Sequence, residues 1–239
     1  MKAVSTLAAA AAVLAVVAAP SAMAADECRG LPVCIPVAGP WVVIPSADTS
    51  DRYPQRSWRM KCPPGSIVGG VDARLTSRAI DLSFSGLLGS PVNPGVTTTD
   101  EVVFTGTYTG RGGRAVGFRP FIGCIPTAGG GRIPTAVSTP AAVKPGRPTV
   151  LRVKTVSVNG TVSGVIQACA RGERLVSSSH AVGFRSGREP ARAQLAGVRS
   201  TLVTIGDRLV ASAALTGAAR GKPAKLQVLA VCTKGPAQP

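Results

Sequence analysis

The sequence has few of the side chains from which enzymes build active sites. Its 239 residues include one histidine and eleven aspartates and glutamates, and only 4% of the residues are aromatic. Acid–base and nucleophilic catalysis rely mostly on histidine and carboxylate groups, so we expect no catalytic residues and no bound cofactor. Few rings are available to stack on bases, which argues against specific nucleic-acid recognition.

Residues with metal-binding chemistry do not have the spacing of a metal site. No Cys-x-x-Cys motif occurs, and His180 is not placed near a cysteine as in zinc sites. Calcium takes about 6–8 oxygen ligands, and neither Asp48 with Asp51 nor Asp100 with Glu101 provides that density of acids. We therefore expect no metal site.

The first 24 residues have the pattern of an export signal. Lys2 precedes an unbroken apolar run of 13 residues, 7–19, and the small residues Ala22 and Ala24 follow. This pattern predicts a secretory signal peptide that is cleaved after Ala24. The run is shorter than the ~20 apolar residues that span a membrane, and no later run is long enough. We expect a secreted bacterial protein without a membrane span, either free or associated with the cell wall.

All six cysteines follow the predicted signal peptide. An even number of cysteines in an exported chain is typical of disulfides, although six cysteines allow about 15 connectivities. They are Cys28, Cys34, Cys62, Cys124, Cys169 and Cys232. Cys62 and Cys124 are 62 residues apart, and Cys169 and Cys232 are 63 apart. The matching separations indicate a duplication.

The two cysteine-bounded stretches also match in sequence. With Cys62 placed on Cys169, eleven of about 62 positions are identical, where roughly four or five are expected by chance. Besides the cysteines these are Gly65/Gly172, Arg78/Arg185, Leu88/Leu195, Val96/Val203, Thr97/Thr204, Asp100/Asp207, Val103/Val210, Thr109/Thr216 and Gly110/Gly217, with one residue inserted only afterwards. A repeat predicts the disulfides Cys62–Cys124, Cys169–Cys232 and Cys28–Cys34. The alternative is two unrelated β segments with the same spacing.

Hydrophobic patterning predicts strands and almost no helix. Trp58, Met60 and Cys62 alternate with charged residues, which is the period-two pattern of a half-buried strand. Further strands are predicted at residues 101–108, 209–215 and 226–232, and residues 190–198 are the only helix candidate. The predicted fold class is all-β, antiparallel and sandwich-like, with two similar disulfide-closed units.

The turn at Asn159-Gly160 carries the clearest local signal. It separates the β-rich runs 150–158 and 161–169, and Asn-Gly in this setting favours a type I′ hairpin. Either a bulge near Gly164 corrects the register of the two strands, or their pairing stops earlier.

These patterns divide the chain into five segments. Residues 1–24 are the signal peptide, 25–57 an N-terminal segment with a small disulfide loop, and 58–128 the first β unit. Residues 129–148 are a Pro/Gly-rich linker, and 149–239 are the second, basic β unit.

The string Cys62-Pro63-Pro64-Gly65, followed by Gly69-Gly70, is the most distinctive in the chain. It resembles an element of exported β proteins of high-GC bacteria, a group of unassigned function. It is also similar, over fewer than about twenty residues, to the repeat of vitelline membrane outer layer proteins, which have a β-prism fold. Neither resemblance implies a function for this chain.

His180 follows three serines and is the one candidate for a nucleophilic site. A Ser–His pair needs hydrogen-bond contact and a third orienting group. Adjacent strand residues point to opposite faces, so Ser179 is poorly placed and only Ser178 fits in principle. A secreted hydrolase is therefore a remote alternative.

Positive charge is the strongest functional signal. Residues 25–143 carry a net charge of +3, whereas residues 144–239 carry 15 Lys and Arg against three acidic residues. This imbalance predicts binding of anionic cell-envelope or extracellular polymers by the C-terminal half. The predicted contact residues are Arg152, Lys154, Arg171 and Arg174. The alternative is a structural or protein-binding scaffold that uses loops such as residues 87–99.

Overall fold

The fold comes from a computed structural model that describes residues 26–31, 33–46, 53–86, 100–110, 113–127 and 149–234. The predicted signal peptide, the linker at residues 129–148 and the loop at residues 87–99 lie outside these ranges. The proposed boundaries of the units stay predictions.

Thirteen β-strands make up most of the described chain. They are β1 (Ile35–Ala38), β2 (Trp41–Ile44), β3 (Gln55–Lys61), β4 (Ser66–Leu75), β5 (Ile80–Ser85), β6 (Glu101–Tyr108), β7 (Val116–Pro126), β8 (Thr149–Val158), β9 (Thr161–Ala168), β10 (Glu173–Phe184), β11 (Val198–Ile205), β12 (Arg208–Leu215) and β13 (Ala224–Lys234). The helix α1 (Arg192–Ala196) lies in the region where a helix was predicted. None of the helices within the described ranges has the length and apolar character to cross a membrane.

The strands form one large sheet and two small ones, and the pairings between the described strands are antiparallel. The large sheet has the order β1-β7-β2-β10-β13-β8, with β4 also on β7. The first small sheet is β3-β6-β5 and the second is β9-β12-β11. Each small sheet buries its apolar face in a separate core against the large sheet. The predicted all-β, antiparallel, sandwich-like fold is confirmed.

Period-two alternation explains how the small sheets pack. In β6 the side chains of Val102, Phe104 and Tyr108 are almost fully buried, while the intervening positions are half-exposed. The middle strand of the second small sheet, β12, has the same alternation and buries Leu209 and Leu215. One face of each strand therefore joins a core, as the sequence pattern predicts.

The chain contains the same disulfide-closed arrangement twice. In the first unit (β1–β7), β6 lies between β3 and β5, and β4 pairs with β7. In the second unit (β8–β13), β12 lies between β9 and β11, and β10 pairs with β13. In the first unit the disulfide Cys62–Cys124 links the end of β3 to β7. In the second unit Cys169–Cys232 links the end of β9 to β13. These two bonds and Cys28–Cys34 confirm the predicted connectivity.

The units also share local detail. Gly65 and Gly172 follow the first cysteine of each unit and have positive φ angles of 76° and 81°. The next strand then has a bulge at the same place, between Val68 and Gly70 in β4 and between Leu175 and Ser177 in β10. Turns and bulges that recur in register support a true duplication.

The gapless alignment of the two units is wrong in its middle part. Ile80 pairs with Tyr108 in the first unit and Val198 pairs with Leu215 in the second, so β5 corresponds to β11. In this register Val203 corresponds to Ser85, not to Val96. The second unit has a longer connection, which contains α1, before β11, and the first has a longer connection after β5. The two insertions compensate in length and conceal the shift.

The predicted Asn159-Gly160 hairpin is also wrong. β8 pairs with β13 in the large sheet and β9 pairs with β12 in the second small sheet, so the turn passes the chain between sheets. Gly160 has a φ of 84°, but no described non-glycine residue has positive φ, which excludes a type I′ turn. A register shift does occur near Gly164, but in the pairing of β9 with β12 and not in the predicted hairpin. Long-range pairing overrides the local turn signal.

Strand β2 joins the units. It pairs with β7 on one side and with the end of β10 on the other, and all four of its residues are buried. Val42 and Ile44 belong to the first core, whereas Trp41 and Val43 belong to the second. The two clefts described below lie where the first small sheet meets β10 and β13.

Candidate functional site

A groove lined by positive charge lies between the two units. Its volume is about 550 Å³, and β3 of the first unit forms one wall beside the end of β10 and the start of β13. We define the basic groove by its five cationic side chains, Arg59, Lys61, Arg119, Arg185 and Lys225. No carboxylate is among the described residues that line it.

Gln227 fixes the wall of the basic groove. Its Oε1 accepts a hydrogen bond from the backbone N–H of Arg59 at 2.6 Å, and its Nε2 donates to Oγ1 of Thr155 at 3.3 Å. The side chain is buried, with 4% of its surface exposed. A buried amide with partners on both sides ties β3 to β13 and β8. The wall of the groove is therefore held in place by packing between the two units.

Arg119 is held by backbone carbonyl groups. Its Nε donates to the carbonyl oxygen of Gly39 at 3.0 Å, and its Nη1 donates to that of Gly187 at 2.9 Å. The guanidinium also lies over the ring of Phe121, 5.1 Å from the centroid. Burial, and then the charge of Arg74, lower the pKa of Arg119. Arginine nevertheless stays protonated in proteins, so a fixed cation faces the groove.

The positive charge of the groove is only partly compensated. Arg59 pairs with Glu101 at 2.7 Å and Lys61 pairs with Asp100 at 3.1 Å. Arg119, Arg185 and Lys225 have no salt-bridge partner within the described ranges. The Nε of Arg59 is buried and has no hydrogen-bond partner there. Together these groups favour an anionic ligand that accepts hydrogen bonds.

The four residues predicted to contact polyanions lie outside the basic groove, and they differ in their own hydrogen bonds. Arg152 donates two hydrogen bonds to the carboxylate of Glu173, at 2.7 and 2.8 Å. Lys154 donates from Nζ to the carbonyl oxygen of Ile166 at 3.1 Å. Arg171 is exposed at the turn between β9 and β10, and Arg174 is exposed near the start of β10. None of the four lines the basic groove.

Sequence reasoning missed the basic groove because its residues are distant in the chain. Arg59, Lys61 and Arg119 lie in the half whose net charge is only +3. Arg185 and Lys225 come from the ends of two other strands. The alternation of Arg59 and Lys61 with buried Trp58 and Met60 did indicate that the cations share the open face of β3, but not what they face.

A second cleft, of about 930 Å³, opens on the other side of the contact between β3 and β10. Hydroxyl groups dominate its walls and define the hydroxyl cleft: Ser57, Ser85, Thr105, Thr149, Ser177, Ser178 and Ser179. Leu151, Leu229 and Val231 also line the cleft and give it an apolar floor. Arg56, Glu101 and His180 complete the chemically active part of the lining.

His180 is bonded to a serine that the sequence did not indicate. Its Nε2 lies 3.1 Å from Oγ of Ser200, and only 8% of the residue is exposed. Ser179 instead accepts a hydrogen bond from the backbone N–H of Ser57 at 3.2 Å. Burial, and then the charge of Arg56, lower the pKa of His180 to about 4, so the imidazole is neutral at pH 7. Ser200 was missed because it reaches His180 from a different sheet.

The acidic residues considered for calcium have other roles where they are described. Asp100 and Glu101 form the ion pairs with Lys61 and Arg59. The carbonyl oxygen of Asp100 also accepts the N–H of Cys62, just as that of Asp207 accepts the N–H of Cys169. Asp48 and Asp51 lie outside the described residues. Asp100 therefore serves the turn and charge balance of the first unit.

No protein-family model, curated protein or solved structure matches the chain.

Proposed function

We propose that this disulfide-stabilised β protein is secreted, that it acts by binding rather than by catalysis, and that it holds anionic groups of cell-envelope or extracellular polymers in the basic groove. The observation that carries the proposal is the convergence of five cationic side chains on a groove with no carboxylate among its described lining residues. Secretion is supported by the three disulfides, which persist in oxidising compartments.

The chemistry of the groove favours phosphate or carboxylate groups on a polymer. Arginine presents a planar fork of donors that such groups accept in pairs, and Arg119 is already oriented by Gly39 and Gly187. Arg185 is exposed at the rim and Lys225 is half-buried. A repeating anion can therefore contact a fixed cation and mobile ones at once.

The test is retention of the oxidised protein on washed bacterial envelopes across a salt series. The double variant Arg185→Gln/Lys225→Gln removes two groove cations that have no salt-bridge partner in the described chain. We expect roughly tenfold weaker retention at low salt, equivalent to about 1.4 kcal/mol for two charge-assisted contacts. Retention by the unaltered protein should fall steadily as salt rises, because screening weakens exposed charge interactions.

The matched control is Arg208→Gln/Arg220→Gln, which removes the same net charge from exposed positions outside the groove. Its retention should stay close to that of the unaltered protein. Equal losses in the two variants would show that net charge alone drives binding and would contradict a specific groove. Absence of retention at low salt would remove envelope polyanions as partners.

A further inference from the structure

Strand β10 has a long edge without a strand partner. Along Glu173–Phe184 it pairs with β13 on one side, but on the other side only Gly183 and Phe184 pair with β2. In the part of the chain that the structure describes, the edge before Gly183 has no ladder partner. Val176 is 58% exposed and the two serines after it are also exposed. Unpaired edge groups can take up another strand.

The hydroxyl cleft lies along this edge and continues the interface between the units. In this interface the backbone N–H of Ser57 donates a hydrogen bond to Oγ of Ser179. From there the cleft runs past Ser177 and Ser178 toward the apolar floor of Leu229 and Val231. It thus combines the backbone groups of an open edge with an apolar floor. When a peptide adds to a sheet edge, main-chain hydrogen bonds give affinity and pockets for alternate side chains give specificity.

The duplication shows what covers the matching surface in the first unit. Gly70 pairs with Gly123 just after the bulge of β4, and Ser177 pairs with Val231 just after the bulge of β10. These two pairs are therefore equivalent. The glycine pair lies directly beneath the backbone of Glu27, because a Cβ on either glycine would collide with the carbonyl oxygen of Glu27. In the first unit a segment of peptide chain therefore covers this face of the sheet, while among the described strands β4 pairs only with β7.

In the second unit the equivalent surface forms part of the hydroxyl cleft. Ser177 and Val231 replace the two glycines and line the cleft. Within the described ranges no chain segment lies on them as Glu27 lies on its glycines. We propose that the hydroxyl cleft binds an extended peptide segment of a partner protein, which adds to the free edge of β10. This proposal is independent of anion binding in the basic groove.

The cleft also indicates which ligands it does not favour. No Phe, Tyr or Trp is among its lining residues, so a ring-shaped ligand has no aromatic surface on which to stack. Arg56 and Glu101 place charges of both signs in the lining, unlike the basic groove. A peptide with apolar side chains at alternate positions fits better, since alternate residues of an added strand point toward the floor.

The experiment selects peptides from a phage-displayed library of random decapeptides, using the oxidised full chain as bait. The tightest peptide is then synthesised, and its dissociation constant is measured by fluorescence anisotropy. The variant Ser177→Trp places a large side chain in the cleft and should weaken binding at least tenfold. The matched control is Thr204→Trp, which places the same side chain at an exposed position of β11 outside the cleft.

Hydrogen exchange keeps the test valid even if Ser177→Trp fails to fold. The bound peptide should slow exchange of backbone amides in residues 176–180 of the unaltered protein. Slowed exchange there, with normal binding by Thr204→Trp, supports the proposal. A peptide that binds Ser177→Trp as well as the unaltered protein, or that protects only other strands, overturns it. Failure to select any peptide that binds below about 100 µM also overturns it.

Discussion

Thr109 and Thr216 make the same two hydrogen bonds in the two units. The Oγ1 of Thr109 donates to the carbonyl oxygen of Ala79 at 3.1 Å, and that of Thr216 donates to the carbonyl oxygen of Gly197 at 3.0 Å. Each backbone N–H donates to the same carbonyl group, at 2.9 and 2.8 Å. The two threonines therefore close the same end of the two small sheets.

Replacing either threonine by valine keeps the shape and removes the hydroxyl donor. We expect Thr109→Val and Thr216→Val each to lower the free energy of unfolding by about 1 kcal/mol, the usual contribution of one hydrogen bond. The effects should add in the double variant, because the sites belong to separate small sheets. Urea unfolding measures them, with Thr204→Val as an exposed strand control. A large effect in only one unit would contradict the equivalence.

The disulfides should contribute according to the length of chain that they close. Cys62–Cys124 and Cys169–Cys232 span 62 and 63 residues, whereas Cys28–Cys34 spans six. The chain-entropy model gives about 4 kcal/mol for each long loop and about 2 kcal/mol for the short one. Paired Cys→Ser variants, compared by denaturant unfolding, should show two equal large losses and one smaller loss. Unequal long-loop losses would show that one unit retains structure when unfolded.

Much of this fold follows from local patterns in the sequence. The strand 101–108 was predicted to the residue because it is rich in β-branched and aromatic residues, and this composition is a property of the strand itself. The three disulfides followed from the repeat, which the cysteine separations and the matching residues together indicated. The predicted hairpin at Asn159-Gly160 is wrong because a local turn signal cannot reveal that β8 pairs with β13 and β9 with β12, both distant in the chain.

Two insertions that compensate in length hid the true register of the repeat. The gapless match of Val96 with Val203 counted as an identity, although Val203 occupies the position of Ser85. The insertions lie in different units and compensate in length, so the cysteine separations do not reveal either of them. The candidate site was less predictable still, because the cations of the basic groove come from four separate parts of the chain.

The positive charge of the C-terminal half includes Arg152, whose charge is balanced within the protein by Glu173. Glu173 is 3% exposed at its side chain, and the two hydrogen bonds from Arg152 raise the pKa of that arginine. We expect Arg152→Ala to lower the unfolding temperature by roughly 5–10 °C, because it leaves a buried carboxylate without its cation. Arg174→Ala, at an exposed position, should change it by less than about 2 °C. Equal thermal shifts would show that the ion pair has no structural role.

The glycine pair under the N-terminal loop gives a direct test of the repeat comparison. Gly123→Val introduces the residue that stands at the equivalent position in the second unit, Val231. The added side chain must displace the backbone of Glu27, so we expect faster proteolysis near residues 26–31 and a stability loss of about 1–3 kcal/mol. The reverse change, Val231→Gly, removes a half-buried side chain without such a collision. Resistance of Gly123→Val to proteolysis would contradict the covering role of the loop.

The burial of His180 predicts a loss of stability in mild acid. Its pKa is about 4 in the folded protein against 6.5 as its ordinary value, so the unfolded chain takes up the proton first as pH falls. Above about pH 6.5 both states are neutral at this residue and it contributes no pH dependence. Between pH 6.5 and 4 stability should fall, by about 3 kcal/mol in total.

His180→Gln separates this contribution from that of the carboxylates, which titrate in part of the same range. Glutamine keeps a polar group near Ser200 but takes up no proton, so the variant should lose less stability than the unaltered protein between pH 6.5 and 4. The difference between the two curves of unfolding free energy against pH is the measurement. It should be flat above pH 6.5 and grow steadily below it. Parallel curves throughout would mean that the imidazole protonates in the folded state without cost, and that its burial beside Arg56 does not control its charge.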